Sequence, residues 1–381
     1  MKRIAEFKWL PFQMGAQEKP TNHPLPDRLP FRLAREETTG LLVQSSDKEI
    51  SGWLSKMYRV SVPYGTPMSE TGLGRRYAED FLAYVLRSLN RDNLRGLRVV
   101  EIGCGYGYLL KRLLDLGADA VGIEPGPSGT AAKASGLPVV NEEFRRELIE
   151  PGVDLFVEYG VLEHIEDYRG FLTTQREKLS PGGQIILSVP DCTWPIAVGD
   201  ISMLVHEHWN YFTKKSLSAL AGELEFSSED QELGGVGGTL YSTWRISTKR
   251  TNDTVVVQDD QANLQERFEM QSLRIQSLLR RWSAEGGAIG IFVPGRILNY
   301  LPSIDPLIGM RFFDDDPNLR GKFYPPFEAR IESRTDLIES PVDRLLIMSA
   351  SFGSQIADSL RSEPSLRNME IATLADALST A

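Results

Sequence analysis

One short segment of this sequence joins a strand to a helix through three glycines. An apolar run at residues 97–102 has the length of a buried strand, and apolar residues at helical spacing follow at 109–114. Gly103, Gly105 and Gly107 alternate in the turn between them. Because glycine has no Cβ, the backbone can take unusual dihedral angles there and a ligand can lie directly on the main chain. The segment therefore predicts a ligand-binding turn within an α/β fold.

The order Glu-x-Gly-x-Gly-x-Gly resembles motif I of the class I S-adenosylmethionine (SAM) methyltransferases. The dinucleotide fingerprint Gly-x-Gly-x-x-Gly has a different spacing and places a pyrophosphate on the helix N-terminus. The resemblance implies that the acid in the strand orients the loop and the ammonium of the ligand, and that Cys104 is a small side chain beside it. The donor-binding residues implied here are Glu101, Gly103, Cys104, Gly105, Tyr106 and Gly107.

Polar residues follow the next two predicted strands. Residues 120–123 end in Glu124, where a carboxylate can accept hydrogen bonds from both ribose hydroxyls, with Pro125 beside it. The alternative for Glu124 is an exposed acid before a proline turn. Residues 137–140 lead to Glu143 and Phe144, which the resemblance assigns to the adenine amino group and ring. The sequence leaves open which of the neighbouring acids, Glu142 or Glu143, points inward.

The segment after the fourth predicted strand, residues 153–157, also resembles this superfamily. It carries Tyr159, Gly160 and Val161, which would line the methyl-donor pocket, and then His164 in a Leu-Glu-His-Ile stretch. His164 is expected to be an active-site histidine, and the alternative is that it caps or packs the following helix. A fifth strand at 184–190 completes the order, so residues 75–191 predict a SAM-binding domain.

Composition excludes several classes of protein. A net charge of −10 without a basic stripe argues against a nucleic-acid substrate. No apolar run reaches the length of a membrane span, and charges interrupt the first residues, so a cytoplasmic protein is expected. Two cysteines exclude a disulfide framework and a four-cysteine zinc module.

The 381 residues suggest two folded domains. The predicted fold class is α/β, a Rossmann-like class I methyltransferase domain followed by a second, smaller Rossmann-like α/β domain. The predicted blocks are an extended proline-rich arm with little periodicity (1–52), the methyltransferase domain (53–250), a linking helix (251–286) and the C-terminal domain (287–381). In the last block, strands are expected at 288–293, 310–313 and 344–348.

This C-terminal unit and the segment at 206–212 resemble bacterial C-methyltransferases of nucleotide-linked keto-sugars. The resemblance implies that Glu207 and His208 form the catalytic pair, with His208 the base and Tyr211 beside it. Unlike those enzymes, this chain has no cysteine-rich zinc domain at its start and carries Val205 in place of a tyrosine. His206 is a substrate-site candidate; alternatively, His206 and His208 share one face and bind a metal. A third ligand is not evident, so no metal is expected.

The expected activity is C-methylation of a nucleotide-linked keto-sugar through an enolate formed by a histidine. Arg296 is the candidate phosphate contact because a guanidinium binds phosphate in a bidentate manner. The turn around Gly295 has one glycine beside bulky side chains, so no redox cofactor is expected there. An O- or N-methyltransferase, and a catalytically silent SAM-binding partner, are the alternatives. The oligomeric state stays open, with a homodimer as one option.

Overall fold

The computed structural model describes residues 1–12, 15–20, 25–45, 47–60, 68–247, 263–303, 307–325 and 328–379. The strands are β1 (Lys2–Pro11), β2 (Arg28–Arg35), β3 (Leu42–Gln44), β4 (Arg98–Ile102), β5 (Asp119–Ile123), β6 (Val139–Val140), β7 (Val153–Tyr159), β8 (Leu179–Pro190), β9 (Asn210–Tyr211), β10 (Phe226–Leu233), β11 (Thr239–Ile246), β12 (Ile289–Phe292), β13 (Arg311–Phe313), β14 (Ile331–Glu332), β15 (Arg344–Ile347) and β16 (Glu370–Thr373).

The helices are α1 (Lys48–Val60), α2 (Gly72–Leu89), α3 (Tyr108–Asp115), α4 (Pro127–Ala134), α5 (Tyr168–Lys178), α6 (Thr193–Val198), α7 (Lys214–Glu223), α8 (Leu264–Glu285), α9 (Arg334–Glu339), α10 (Gly353–Arg361) and α11 (Leu374–Ser379). Short 3-10 segments include Leu162–His164, Ile201–Met203 and Pro294–Tyr300. Within the described ranges, every helix is too short or too polar to cross a membrane.

The central sheet has seven strands in the order β10-β11-β8-β7-β4-β5-β6. Strands β8, β7, β4, β5 and β6 are parallel, and β10 and β11 close one edge in antiparallel fashion. The strand order reverses at β4, and ligands of open α/β sheets bind outside the carboxyl ends of the strands at such a point. The glycine turn leaves β4 at this position, which confirms the predicted Rossmann-like domain.

A second sheet has five parallel strands in the order β14-β13-β12-β15-β16. The residues of its central strand β12 are all buried, as expected for a parallel strand covered on both faces. This sheet confirms a second, smaller Rossmann-like unit. The edge strands β14 and β16 were not predicted because they are short and only partly apolar.

The prediction that residues 1–52 form an extended arm with little periodicity is wrong. Strands β1, β2 and β3 pair in antiparallel fashion with β9, which comes from the middle of the chain. Pro30 lies in β2 opposite a register shift between Phe7 and Leu10, where the ladder needs no N–H from it. Of the prolines that suggested an arm, Pro24 lies outside the described residues.

Helix α8 forms the predicted link between the two units, although it begins later than expected and residues 251–262 lie outside the described ranges. One face of α8, which includes Phe268, Leu279 and Trp282, is buried in a single core with apolar residues of β1, β2 and the C-terminal sheet. The rings of Phe7 and Phe268 are 5.7 Å apart at their centroids. The N-terminal strands therefore pack on the C-terminal unit, and the four block boundaries stay predictions.

A buried ion-pair network fastens the end of β2 to two helices of the methyltransferase domain. Arg169 of α5 donates to both carboxylate oxygens of Glu36, at 2.7 and 2.9 Å, and to both oxygens of Glu223, at 2.8 and 3.0 Å. Burial raises the pKa of Glu36, but hydrogen bonds from Arg169, Tyr168 and Thr39 outweigh it and hold that pKa below its ordinary value. The carboxylate is thus ionised and fully partnered inside the protein.

Arg169→Ala should destabilise the protein by about 3 kcal/mol, because the Glu36 carboxylate would stay buried without its cation. Arg176→Ala is the matched control on the same helix, since Arg176 pairs at 2.5 Å with the exposed Glu225 and should contribute about 1 kcal/mol or less. Urea unfolding of both variants measures the difference. Equal losses would contradict the role given to Glu36.

Candidate active site

The three glycines of the turn after β4 have different roles. All have positive φ values, of 73°, 52° and 82°. A Cβ on Gly103 would lie 2.5 Å from Val161 Cγ2, and one on Gly107 would lie 2.3 Å from Leu137 Cδ1. A Cβ on Gly105 would meet nothing within 4 Å. Packing therefore requires Gly103 and Gly107, whereas Gly105 borders open space that a ligand can fill.

Two carboxylates flank this turn. Glu101 is 3% exposed, and its Oε2 has no hydrogen-bond partner among the described residues. Burial, together with the charge of Glu124, raises the pKa of Glu101 to about 8. Glu124 accepts from the amides of Gly105 at 3.2 Å and Gly126 at 2.8 Å, which leaves capacity on the carboxylate for hydroxyl donors. An orphaned buried acid and an oriented carboxylate fit SAM, which carries an ammonium group and a ribose.

Asn141 belongs to this site and was not predicted. Its Nδ2 donates to the carbonyls of Glu124 and Gly126, at 2.6 and 3.0 Å, and so fixes the loop that presents the Glu124 carboxylate. Its position directly after β6 was the available signal. Glu143 is exposed, as is Pro125. The ring of Phe144 packs edge-on against Phe156 and Phe171, at 6.1 and 5.3 Å, so its stacking on adenine stays a prediction.

The Cys104 side chain points into the core under the turn, and its place beside the ligand stays a prediction. Cys104 is buried in the core, and its Sγ would lie 2.6 Å from a Cβ on Gly122 of β5. Its thiol therefore fills the space that Gly122 leaves under the turn. Tyr106 is 52% exposed at the outer side of the turn.

The residues after β7 connect the glycine turn to the histidines. Val161 packs over Gly103. Gly160, which directly precedes Val161, has a φ of 65° and turns the chain at the end of β7. Tyr159 lies in an aromatic cluster with Tyr77 and Phe81 of α2, at centroid distances of 6.1 and 5.2 Å. The 3-10 turn Leu162–His164 follows at once. The donor turn and His164 are therefore neighbours at one edge of the sheet.

His164 and His208 come together although they are far apart in the sequence. Their rings are 4.7 Å apart at the centroids and meet edge to face at 84°. His164 Nδ1 lies 3.0 Å from the carbonyl oxygen of Glu207. Because a carbonyl only accepts, Nδ1 carries the proton and the lone pair is on Nε2. Backbone, rather than the buried Glu207 side chain, holds this tautomer.

Both imidazoles are neutral near physiological pH. Burial lowers the pKa of His164 to about 4, although its bond to Glu207 favours the protonated form. Burial, then the charges of His164 and Arg296, lower the pKa of His208 well below its ordinary value. A neutral imidazole is the form that accepts a proton.

Two predicted site residues have structural roles instead. His206 is 1% exposed and packs between the rings of Phe12 and Phe31, at 5.5 and 5.2 Å, so it does not share a face with His208 and is not a substrate contact. Tyr211 is also buried, and its hydroxyl donates to the carbonyl of Val205 at 3.0 Å. The same hydroxyl accepts from the Val205 amide, so Tyr211 fixes the loop before His208 and does not act as a catalytic group.

Glu163 forms a group with the two histidines. Burial raises its pKa to about 8, and its Oε1 is 4.0 Å from His164 Nε2. Within the described residues, the nearest ligand atoms of Glu163, His164 and His208 lie within 4.8 Å of one another. A single ion with bonds of about 2.0–2.2 Å needs ligand atoms closer than that span, so these side chains would have to move to bind one. The absence of a metal stays a prediction.

The C-terminal unit contributes Arg296 to this site. Val293, at the end of β12, has a φ of 58°, which is rare for a β-branched residue, and the chain then enters the 3-10 segment Pro294–Tyr300. Arg296 Nη1 donates to Ser202 Oγ at 3.2 Å. Its charge lowers the pKa of His208 and opposes the rise that burial causes in the pKa of Tyr77. Tyr77, on α2, was not predicted from the sequence because no recognisable motif surrounds it.

Comparison with known proteins agrees with the donor half of this site. A family described as a methyltransferase domain matches residues 73–230. A ubiquinone biosynthesis O-methyltransferase of Azorhizobium caulinodans is 31% identical over 173 residues, covering 40% of this chain and 68% of that protein. The one from Rhizobium etli is 38% identical over 115 residues, covering 27% of this chain and 45% of its own length. The chain thus spans about half the length of the curated relatives that it first matches.

Two solved structures are also similar. A SAM-dependent methyltransferase from Mesorhizobium loti has 19% identity and a TM-score of 0.35, covering 43% of this chain and 97% of that one. Magnesium protoporphyrin IX methyltransferase from Synechocystis, solved with SAM, has 14% identity and a TM-score of 0.40, covering 53% of this chain and all of that one.

Gly105→Arg should abolish SAM binding, because the side chain would fill the open space that Gly105 borders in the glycine turn. Glu124→Ala should weaken binding by about 1.5–3 kcal/mol, the scale of hydrogen bonds to a charged group. Calorimetry with SAM and S-adenosylhomocysteine measures both, with Asp119→Ala, at an exposed acid where β5 begins, as the comparison variant. Unchanged affinity in Gly105→Arg and Glu124→Ala would contradict the donor site.

Proposed function

The chain belongs to the class I SAM-dependent methyltransferases, and we propose that it methylates a carbon of a nucleotide-linked keto-sugar. SAM is the cofactor and supplies the methyl group. A carbon next to a carbonyl becomes nucleophilic once a proton is removed from it. His208 removes that proton in this proposal, and His164 lies against it at the same edge of the sheet.

The observation that supports the proposal is that the charge of Arg296, whose guanidinium donates to Ser202 Oγ at 3.2 Å, lowers the pKa of His208. One side of the site offers a neutral base and the other, contributed by the second Rossmann-like unit, offers a guanidinium. A substrate held between them needs an acidic proton and, at a distance from it, an anionic group. A keto-sugar joined to a nucleotide has both, and Arg296 would engage a phosphate.

Oxygen methylation of another small molecule is the second candidate. The curated relatives that support it are named ubiquinone biosynthesis O-methyltransferases. A neutral imidazole can take a proton from a hydroxyl as well as from carbon. A cytoplasmic location and a homodimer stay predictions under both candidates.

His208→Asn should lower kcat by about 10²–10⁴-fold, the usual scale of general-base catalysis, and leave SAM affinity unchanged. Because the pKa of His208 is lowered, its base form is present throughout the range from pH 8 to 6.5, and wild-type kcat should stay flat there. Glu166→Gln, at an exposed acid two residues past His164, is the control and should keep full activity.

Deuterium exchange separates the two candidates. In heavy water the wild type should exchange the hydrogen beside the sugar carbonyl without methyl transfer, and His208→Asn should not. Full turnover in His208→Asn would show that His208 is not the general base. Methylation without exchange would favour the oxygen acceptor.

Arg296→Ala should raise the KM for the nucleotide-linked substrate by about 10- to 100-fold, since hydrogen bonds to a charged group contribute about 1.5–3 kcal/mol. SAM affinity should not change, because this contact is remote from the donor turn. Arg296→Lys keeps the charge but loses the bidentate geometry, so its KM should lie between those of the wild type and Arg296→Ala. An unchanged KM across a panel of nucleotide-sugars would tell against a phosphate contact.

A further inference from the structure

The turn that carries Glu163 and His164 is too short to hold its own shape. It is a single 3-10 turn with two internal backbone bonds, from His164 N to Val161 O at 2.9 Å and from Ile165 N to Leu162 O at 3.3 Å. Such short 3-10 pieces have poor hydrogen-bond geometry. The position of the His164 ring therefore depends on contacts from outside the turn.

Asn210 supplies those contacts from both sides of the histidine. Its Nδ2 donates to Leu162 O at 3.0 Å and to Ile165 O at 2.7 Å, so one side chain bridges the residues that flank Glu163 and His164. The amide of Trp209 donates to Glu163 O at 2.7 Å. We propose that Asn210 is a positioning residue that fixes the orientation of His164 toward His208.

Asn210 is itself held from the opposite side. It is 2% exposed and pairs with Val43 in the β3–β9 ladder. Gln44 N donates to Trp209 O at 2.8 Å, and Gln44 Nε2 donates to His206 O at 3.3 Å. The N-terminal sheet thus reaches the histidine pair through Asn210. The catalytic consequence of this link rests on the proposed function of the pair.

The chain contains a matched control for the same bonding pattern. Asn299 is also fully buried, and its Nδ2 donates to Ile201 O at 3.1 Å and Leu204 O at 2.6 Å. It bridges the residues that flank Ser202 and Met203 of the 3-10 turn Ile201–Met203, which carries no histidine. Asn299→Ala therefore removes the same pair of bonds from the same kind of turn without touching His164.

The test uses ¹⁵N-labelled histidine, because the chain has only four histidines and each resonance can be assigned from a single substitution. Asn210→Ala should shift the ring nitrogen resonances of His164, leave those of His206 in place and keep SAM affinity within about twofold. It should lower kcat about 10- to 100-fold, the scale of a small misplacement of a reacting group. Asn299→Ala should leave the His164 resonances unchanged.

Asn210→Asp is the second variant, in case the alanine variant does not fold. It keeps the size of the side chain but places carboxylate oxygen against two carbonyl oxygens, so the same shift is expected. Unchanged His164 resonances in a folded Asn210 variant, or an equal shift in Asn299→Ala, would overturn the proposal. The resonances need no acceptor, so a wild type without turnover on any keto-sugar would count against the proposed function alone.

Discussion

Hydrogen bonds between residues 207–210 and the turn Leu162–His164 join three parts of the molecule at one point. The turn leaves the central sheet, residues 207–210 lead into the N-terminal sheet through β9, and the charge of Arg296, from the second unit, lowers the pKa of His208. A polar segment of this kind is stable inside a protein only when its backbone groups are paired. The pairing found here also aligns the two imidazoles.

Burial gives these groups their chemistry. The imidazoles lose their charged form, and the acids Glu101 and Glu163 are left protonated near neutral pH with few or no partners. SAM carries positive charge on its ammonium and sulfonium groups, and in the proposed function Arg296 carries the positive charge that binds the acceptor. Donor and acceptor would then differ in charge as well as in position.

The donor half of the site could be predicted because its signals are local. A glycine turn and a polar residue at a strand end each lie within a few positions of the strand that places them, and parallel strands end at the same edge. The different roles of the glycines were hidden, since they depend on Val161 and Leu137 from other segments. The same limit applies to the Cys104 thiol, whose packing against Gly122 of β5 could not be seen from the sequence around the turn.

The acceptor half depends on contacts between distant segments, and there the sequence was less informative. His206 and His208 have the spacing of a shared face only in an extended chain, but the chain turns at residues 206–207, and the His206 ring packs against Phe12 and Phe31. The resemblance placed Tyr211 beside the base, whereas its hydroxyl is paired with the backbone of Val205. Proline content concealed strands β1 and β2, because a bulge opposite Pro30 removes the need for its N–H.

The core shared by β1, β2 and α8 also sets an order of events during synthesis. The N-terminal strands leave the ribosome before the rest of their core, because most of the buried apolar residues that share a core with Ala5, Phe31 and Leu33 lie beyond residue 263. Their last sheet partner, β9, arrives only at residue 210. The nascent chain must therefore carry an uncovered hairpin past the completed donor-binding strands. Strands β1 and β2 therefore complete their packing only together with α8 and the second Rossmann-like unit.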